Sequence, residues 1–181
     1  MKRLAYLLLA VAMVGTAVIA KDNPMVGGAP MLPTKDIVSN AVHSADHTTL
    51  VAAVKAAGLV ETLQSPGPFT VFAPTNEAFA KLPAGTVETL LKPENKETLT
   101  KVLTYHVVAG KMSSKDLWKA IKTGNGTATL KTVSGGTLTA SLQGKTIVLA
   151  DEKGGMSRVT IADVNQSNGV IHVVDSVLLT N

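Results

Sequence analysis

Pro68-Phe69-Thr70-Val71-Phe72-Ala73-Pro74 combines β-branched and aromatic residues between two prolines. Such residues favour strands, and proline is tolerated at the ends of a strand rather than in its middle. The stretch therefore predicts a short, buried strand. Directly after it, Thr75 can cap a helix in which Phe79 and Leu82 face inward before Pro83 ends it.

The chain around this strand, from Thr34 to about Lys122, is predicted to be mainly helical. Apolar residues recur at helical spacing at Leu50, Val54 and Ala57. Asp46 is the predicted cap of that helix, and Gly58 is its predicted end. One aliphatic face of the helix should therefore be buried.

Two more helices are predicted before the composition changes. Pro93 suits a first helical position, and apolar spacing follows it at Leu99, Val102, Leu103 and His106. Ser113 and Asp116 form a predicted capping box, with Met112 and Leu117 at the positions of a hydrophobic staple. A short helix that carries Trp118 should follow.

From Gly126 onward the apolar period changes to two, which predicts hairpin strands with one face in water. The alternating apolar positions are Ala128, Leu130, Leu138, Ala140, Leu142, Val159 and Ile161, with a further strand over 147–149. The last run, Val170 to Leu179, is almost continuously apolar and predicts a strand covered on both faces. Helices first and strands afterwards indicate an α+β domain.

The beginning of the chain predicts export. Lys2 and Arg3 precede an uncharged apolar stretch that ends in Ala17-Val18-Ile19-Ala20, which is typical of a cleavable signal peptide over residues 1–20. Residues 21–33 hold three prolines and two glycines and are predicted to be a spacer, although Met25 and Met31 could pack on the domain edge. The domain is then expected over 34–181, in a secreted, periplasmic or extracellular protein without membrane insertion after cleavage.

Composition excludes several classes of protein. There is no cysteine, which excludes disulfides and thiolate metal sites. Without Lys2 and Arg3 the chain has 15 basic and 13 acidic residues, no run of like charges forms a stripe, and aromatic residues are 3% of the sequence. Binding to nucleic acid is therefore not expected.

Three segments together resemble the fasciclin domain family. Phe69-Thr-Val-Phe-Ala-Pro-Thr-Asn-Glu-Ala-Phe79 resembles its first signature block, and Tyr105-His106-Val107-Val108 resembles its tyrosine-histidine motif. Asn168-Gly-Val-Ile-His-Val-Val-Asp-Ser-Val-Leu178 resembles its second signature block. The order and spacing of these segments make the resemblance specific over about Thr34 to Thr180.

The resemblance implies a wedge of about seven strands in two sheets, with several helices packed along one edge. It also implies a non-catalytic module for cell adhesion, which binds a protein or glycan at the cell surface or extracellular matrix. The alternative that it offers is a carrier of a small apolar ligand such as a carotenoid. No cofactor is expected in either case.

Motifs for catalysis and metal binding are missing from the sequence. Neither Gly-x-Ser-x-Gly nor Ser-x-x-Lys occurs, and no glycine-rich phosphate loop precedes a helix. His43 and His47 are four residues apart, but the predicted cap at Asp46 separates them, and no third ligand is nearby. We therefore expect neither an enzyme nor a metal site.

The candidate binding residues come from the resemblance. In adhesive relatives an aspartate followed by an aliphatic residue, just before the second block, is tied to receptor recognition, and Asp163-Val164 occupies that place. The alternative for Asp163 is a turn residue that bonds local backbone.

Other residues of the motifs have a structural and a binding interpretation. Tyr105 and His106 are further candidates for partner binding, and for His106 and His172 the alternative is a buried imidazole bonded to backbone. Asn168, Gly169 and Asp175 are expected to be structural residues of the second block.

Overall fold

The structure is a computed structural model that describes residues 23–180. Its helices are α1 (Ile37–Ala41), α2 (Thr48–Ala57), α3 (Val60–Gln64), α4 (Asn76–Ala80), α5 (Thr86–Leu90), α6 (Lys96–Tyr105) and α7 (Ser114–Thr123). Short 3-10 turns cover Ala45–His47 and Pro93–Asn95. The strands are β1 (Met25–Val26), β2 (Ala29–Pro30), β3 (Phe69–Pro74), β4 (Val107–Ala109), β5 (Thr127–Lys131), β6 (Thr137–Gln143), β7 (Thr146–Ala150), β8 (Met156–Gln166) and β9 (Gly169–Val174).

Seven strands are hydrogen-bonded in the order β4-β3-β9-β8-β7-β6-β5, and β1 with β2 forms a separate hairpin. β3 and β9 are parallel, and the other neighbouring strands of the large sheet are antiparallel. A bridge between Val108 and Thr132 brings the two ends of the sheet together, so that the sheet almost closes on itself. The predicted α+β class with seven strands is confirmed.

The core lies on both faces of the central strands. β3 is buried from Thr70 to Pro74, and β9 is buried along its whole length. One cluster of apolar side chains, which includes Val54, Leu103 and Ile171, joins α1, α2, α3 and α6 to the sheet. A second cluster, which includes Phe72 and Leu117, packs α7 on β5, β6 and β7. Continuous apolar runs in the sequence thus mark strands that are covered on both sides.

Three of the predicted helix ends are confirmed. The Thr75 side chain accepts a hydrogen bond from Ala78 N–H, and Gly58 ends α2 in the left-handed conformation at φ 72°. Ser113 and Asp116 form the reciprocal capping box of α7. These ends depend on residues close in sequence, which is why the sequence predicts them.

The predicted cap at Asp46 is wrong. Asp46 lies in the 3-10 turn, and α2 begins at Thr48 without a side-chain cap from its own N-terminal flank. The Thr49 N–H instead donates to Asn76 Oδ1 at 3.0 Å, so a residue of α4 satisfies the start of α2. A tertiary contact has replaced the local cap.

The described part of the predicted spacer, from residue 23, packs on the domain instead of leading away from it. Val26 and Met31 are buried in the first cluster, whereas Met25 is exposed. The Asn165 N–H donates to Asn23 Oδ1 at 3.0 Å. Apolar side chains between the prolines explain this difference, because they gain free energy when they leave water. The predicted signal peptide lies outside the described residues.

His106 ties the end of α6 to the segment after β9. Its Nδ1–H donates to Val102 O at 2.8 Å, and its Nε2 accepts from Leu178 N–H at 3.0 Å. The imidazole is buried at 3% exposure, so this arrangement needs the neutral ring. Burial lowers the pKa of His106 from its ordinary value of 6.5 to about 4.

Replacing His106 with alanine should lower the free energy of unfolding by about 1 to 3 kcal/mol, because the Leu178 N–H loses its acceptor inside the protein. Urea denaturation at neutral pH measures the change. The matched control is His43→Ala, since His43 is exposed and should change stability little. Equal stability of His106→Ala and the wild type would contradict the role described.

The same imidazole should make the domain sensitive to acid. The pKa of His106 is about 4 in the folded chain and 6.5 in the unfolded chain. Above pH 6.5 the ring is neutral in both states, so its contribution to the free energy of unfolding is fully present. Stability then falls toward pH 4 by up to about 1.4 kcal/mol per pH unit, as the unfolded chain takes up a proton that the folded chain excludes.

Denaturation midpoints of the wild type and His106→Gln across this pH range test the prediction. The variant should lose stability less steeply, whereas His43→Gln should keep the steeper wild-type slope. Identical slopes for the wild type and His106→Gln would show that His106 does not carry the effect.

Candidate functional site

Asp163 lies in a bulge of β8. Ile161 pairs with Val173 and Val164 pairs with Ile171, so two residues of β8 face the single residue His172. The backbone of Asp163 is left-handed, at φ 59°. Non-glycine residues rarely adopt this conformation, although aspartate tolerates it better than most, and bulges often redirect a side chain. Because of the bulge, Asp163 does not follow the alternation of side chains between the two faces of β8.

The bulge leaves the Asp163 N–H without a partner in the sheet, and the His172 side chain accepts its hydrogen bond. The Asp163 N–H donates to His172 Nδ1 at 3.3 Å, and His172 Nε2–H donates to Met112 O at 2.8 Å. The ring stacks on Phe72 with centroids 5.7 Å apart and is completely buried. Burial lowers the pKa of His172. A neutral imidazole therefore connects β9, the bulge and the segment before α7.

The carboxylate of Asp163 binds the start of α7. Its Oδ1 accepts from Ser114 N–H at 2.6 Å, and its Oδ2 accepts from the Ser114 hydroxyl. A negative charge at this position also interacts favourably with the helix dipole. The Asp163 side chain is half-buried, so one side of this junction faces solvent.

Ser114 is a residue that the sequence analysis missed. The capping role of its neighbour Ser113 is readable from the residue three positions later, Asp116. The partner of Ser114 is 49 positions away on another element, and no local pattern predicts that contact. The contact between β8 and α7 therefore could not be predicted from local sequence patterns.

The other predicted partner contacts lie inside the domain. Val164 and Tyr105 are 0% exposed, and His106 is 3% exposed. Tyr105 donates its hydroxyl hydrogen to Thr137 O at 2.6 Å, and burial raises the pKa of its phenol. These three side chains offer no surface to a partner that docks on the folded domain. Of the predicted binding residues, Asp163 alone reaches the surface.

Asn168 and Gly169 hold the start of β9. Asn168 Oδ1 accepts from Ile37 N–H at 3.1 Å, and its amide nitrogen donates to the carbonyls of Leu63 at 2.7 Å and Ser65 at 2.9 Å. A Cβ on Gly169 would lie 2.1 Å from the Phe69 carbonyl oxygen, so only glycine fits.

Asp175 holds the other end of β9. Its Oδ1 accepts from Arg158 N–H at 2.8 Å, and its Oδ2 lies 3.9 Å from Lys81 Nζ. The side chain of Asp175 thus bonds to the neighbouring strand β8 and to the end of α4.

An apolar cavity lies between the helices and the sheet, lined by residues that include Ile37, Val54, Leu63, Phe69 and Ile171. Its volume is about 70 Å³. Binding sites for small molecules usually have volumes of about 300 to 1,000 Å³. The cavity therefore gives no support to the carrier of a carotenoid.

The part of the chain that the structure describes holds no cluster of metal ligands. Over 23–180 no group of three histidine, aspartate or glutamate residues could hold a metal ion. Every buried polar side-chain atom in this range has a hydrogen-bond partner. Within the same residues no helix has the length and apolar character needed to span a membrane.

Comparisons with known proteins agree with this architecture. The family model of the Fasciclin domain matches residues 45–180. The chain is 52% identical over 147 residues to Protein sll1483 of Synechocystis sp., covering 79% of this chain and 72% of that protein. It is 36% identical over 171 residues to Immunogenic protein MPB70 of Mycobacterium bovis, covering 91% and 80%.

A solved structure shares the fold. The FAS1 domain pair of the insect cell adhesion molecule fasciclin I matches with a TM-score of 0.70 at 20% identity. The match covers 80% of this chain and 51% of that one. The family model, the two relatives and this fold lead to one conclusion: the chain belongs to the fasciclin domain family.

Proposed function

We propose that the protein is an exported, non-catalytic adhesion module that binds a protein or glycan partner at the cell surface or in the matrix. The observation that carries this proposal is the left-handed Asp163 at the solvent-facing bulge of β8. Rare backbone conformations that the surrounding structure holds in place occur preferentially at binding sites. The partner contacts the surface around Asp163 and the first turn of α7.

The hydrogen bonding of the buried histidines supports a function that depends on the surface of the domain. The buried histidines His47, His106 and His172 have hydrogen-bond partners, and burial lowers the pKa of each. Neutral, fully bonded imidazoles serve as structural groups rather than as exchangeable acids or bases. The bonds of His172 hold the bulge in the position from which it faces a partner. The fold that it shares with an insect cell adhesion molecule is consistent with this use.

Asp163→Asn separates binding from stability. Asparagine tolerates the left-handed backbone, and its amide can still accept from Ser114 N–H and donate to the Ser114 hydroxyl. We expect a slightly lower melting temperature, because the charge no longer interacts with the helix dipole, and weaker retention of the labelled, processed protein on cells of its host. Flow cytometry and thermal unfolding measure the two effects.

Asp163→Ala and Asp116→Asn complete the test. Asp163→Ala should lose about 1 to 2 kcal/mol of stability, because it removes the bonds to the first turn of α7. Asp116→Asn makes the same charge change at the exposed capping box of that helix and should not weaken retention. If Asp163→Asn were retained as strongly as the wild type, the Asp163 carboxylate would not be part of the binding surface.

A further inference from the structure

The outward face of α7 carries three lysines and a tryptophan in one line. Leu117 and Ile121 bury the inner face of the helix in the second cluster. On the outer side the spacing i, i+3, i+4, i+7 brings four side chains together on one surface, which we call the α7 stripe. The α7 stripe consists of Lys115, Trp118, Lys119 and Lys122, and these residues line a shallow groove with Ser114 and Thr123.

The lysines of the α7 stripe form no close ion pair with the described residues of the domain. All three are exposed, and within residues 23–180 none has a carboxylate oxygen within 4.0 Å of its ammonium. Asp116 is the one acid on α7; its carboxylate is bonded to Ser113 and interacts at longer range with Lys119. The whole segment 98–150 holds seven lysines and a single acidic residue, Asp116.

This positive surface corrects the expectation that the chain forms no stripe of like charge. The lysines are four and three positions apart in sequence, so no run of charges is visible there. The helix places them along one side over about 10 Å. Such a surface attracts an anionic partner, most strongly at low ionic strength.

Trp118 indicates which class of anionic partner the α7 stripe fits. Its side chain is half-buried: one part of the ring packs against the second cluster, and Lys122 Nζ lies 5.5 Å from the ring centre. An aromatic ring beside ammonium groups suits a sugar, whose C–H face packs on indole while its charged substituent meets a lysine. A lipid bilayer fits less well, because Trp118 is the one large apolar residue of the α7 stripe and little apolar area could enter the membrane.

The spacing of the lysines also fits a polysaccharide that carries one charge on each sugar. The rise from Lys115 to Lys119 is about 6 Å, and that from Lys119 to Lys122 is about 4.5 Å. One sugar unit extends a polymer by a similar length. Lysines adapt to spread point charges, whereas arginine favours a paired, planar contact.

We propose that the α7 stripe binds an anionic polysaccharide whose sugars carry carboxylates. This inference rests on the proposed function, since it identifies the partner as a surface or matrix glycan, and it extends the binding surface from the first turn of α7 along the helix. The lysines meet the carboxylates of this glycan, whereas the Asp163 carboxylate accepts hydrogen bonds from its uncharged hydroxyl groups. Ammonium groups of Lys115, Lys119 and Lys122 pair with successive uronate carboxylates, and Trp118 contacts the sugar ring between them.

Polygalacturonate is the probe that tests the assignment, with neutral dextran as the uncharged polymer. The wild type should bind polygalacturonate, lose that binding as salt is added, and not bind dextran. The triple variant Lys115→Gln, Lys119→Gln, Lys122→Gln should bind about tenfold more weakly, since it loses three exposed ionic contacts. Glutamine keeps helix propensity close to that of lysine, and thermal unfolding verifies the fold.

The matched control removes three exposed lysines from the other half of the domain: Lys35→Gln, Lys55→Gln, Lys92→Gln. It makes the same change in net charge and should bind like the wild type. An equal loss of binding in both triple variants would overturn the α7 stripe as the site.

Trp118→Leu distinguishes a sugar from any other anion. The variant should bind polygalacturonate several-fold more weakly but should bind polyglutamate as the wild type does. Unchanged affinity for polygalacturonate in this variant would overturn the polysaccharide assignment. The assignment would also be overturned if the wild type bound polyglutamate or phosphatidylglycerol vesicles as tightly as it binds polygalacturonate.

Retention on host cells separates this inference from the proposed function. A wild type that is retained on cells but does not bind polygalacturonate overturns the inference and leaves the proposed function standing. Binding to polygalacturonate through the α7 stripe without retention on cells supports the inference and contradicts the adhesion role. Failure of both measurements overturns both proposals.

Discussion

The parallel pairing of β3 with β9 is the contact on which the rest of the domain depends. It aligns Phe69 with Gly169 and continues to Pro74 and Val174, so it joins distant parts of the chain. β4 adds to the free side of β3 and β8 adds to the free side of β9, which extends the sheet in both directions. Both core clusters then form on the faces of this pair, and apolar burial supplies the main stabilisation.

Buried polar side chains fix the position of that pair. Asn168 at the start of β9, His172 within it and His106 near its end each bond backbone groups that would otherwise be buried without a partner. His172 also accepts the N–H of Asp163 and therefore holds the bulge in place. The shape of the proposed binding surface is thus decided by a side chain that no partner touches.

Sequence patterns predicted the elements whose causes are local. The strand over 69–74, the capping box at Ser113 and the left-handed end at Gly58 each follow from neighbours within a few positions. Patterns did not predict the features that need distant contacts, such as the cap that Asn76 supplies to α2 or the bond between Asp163 and Ser114.

The surface was harder to predict than the core. Val164 stands beside Asp163 in sequence, but the end of the bulge turns it into the first cluster, where no partner can reach it. Three lysines that look scattered in the sequence form one surface on α7. In terms of biosynthesis, the central place of β9 has a further consequence: it follows every other strand of residues 23–180, so β3 and β8 lack their shared neighbour until the ribosome has delivered residues 169–174. Neighbours in sequence such as β5 to β8 can pair earlier, but the large sheet is complete only when β9 enters between β3 and β8, and until then those two strands have unpaired edges.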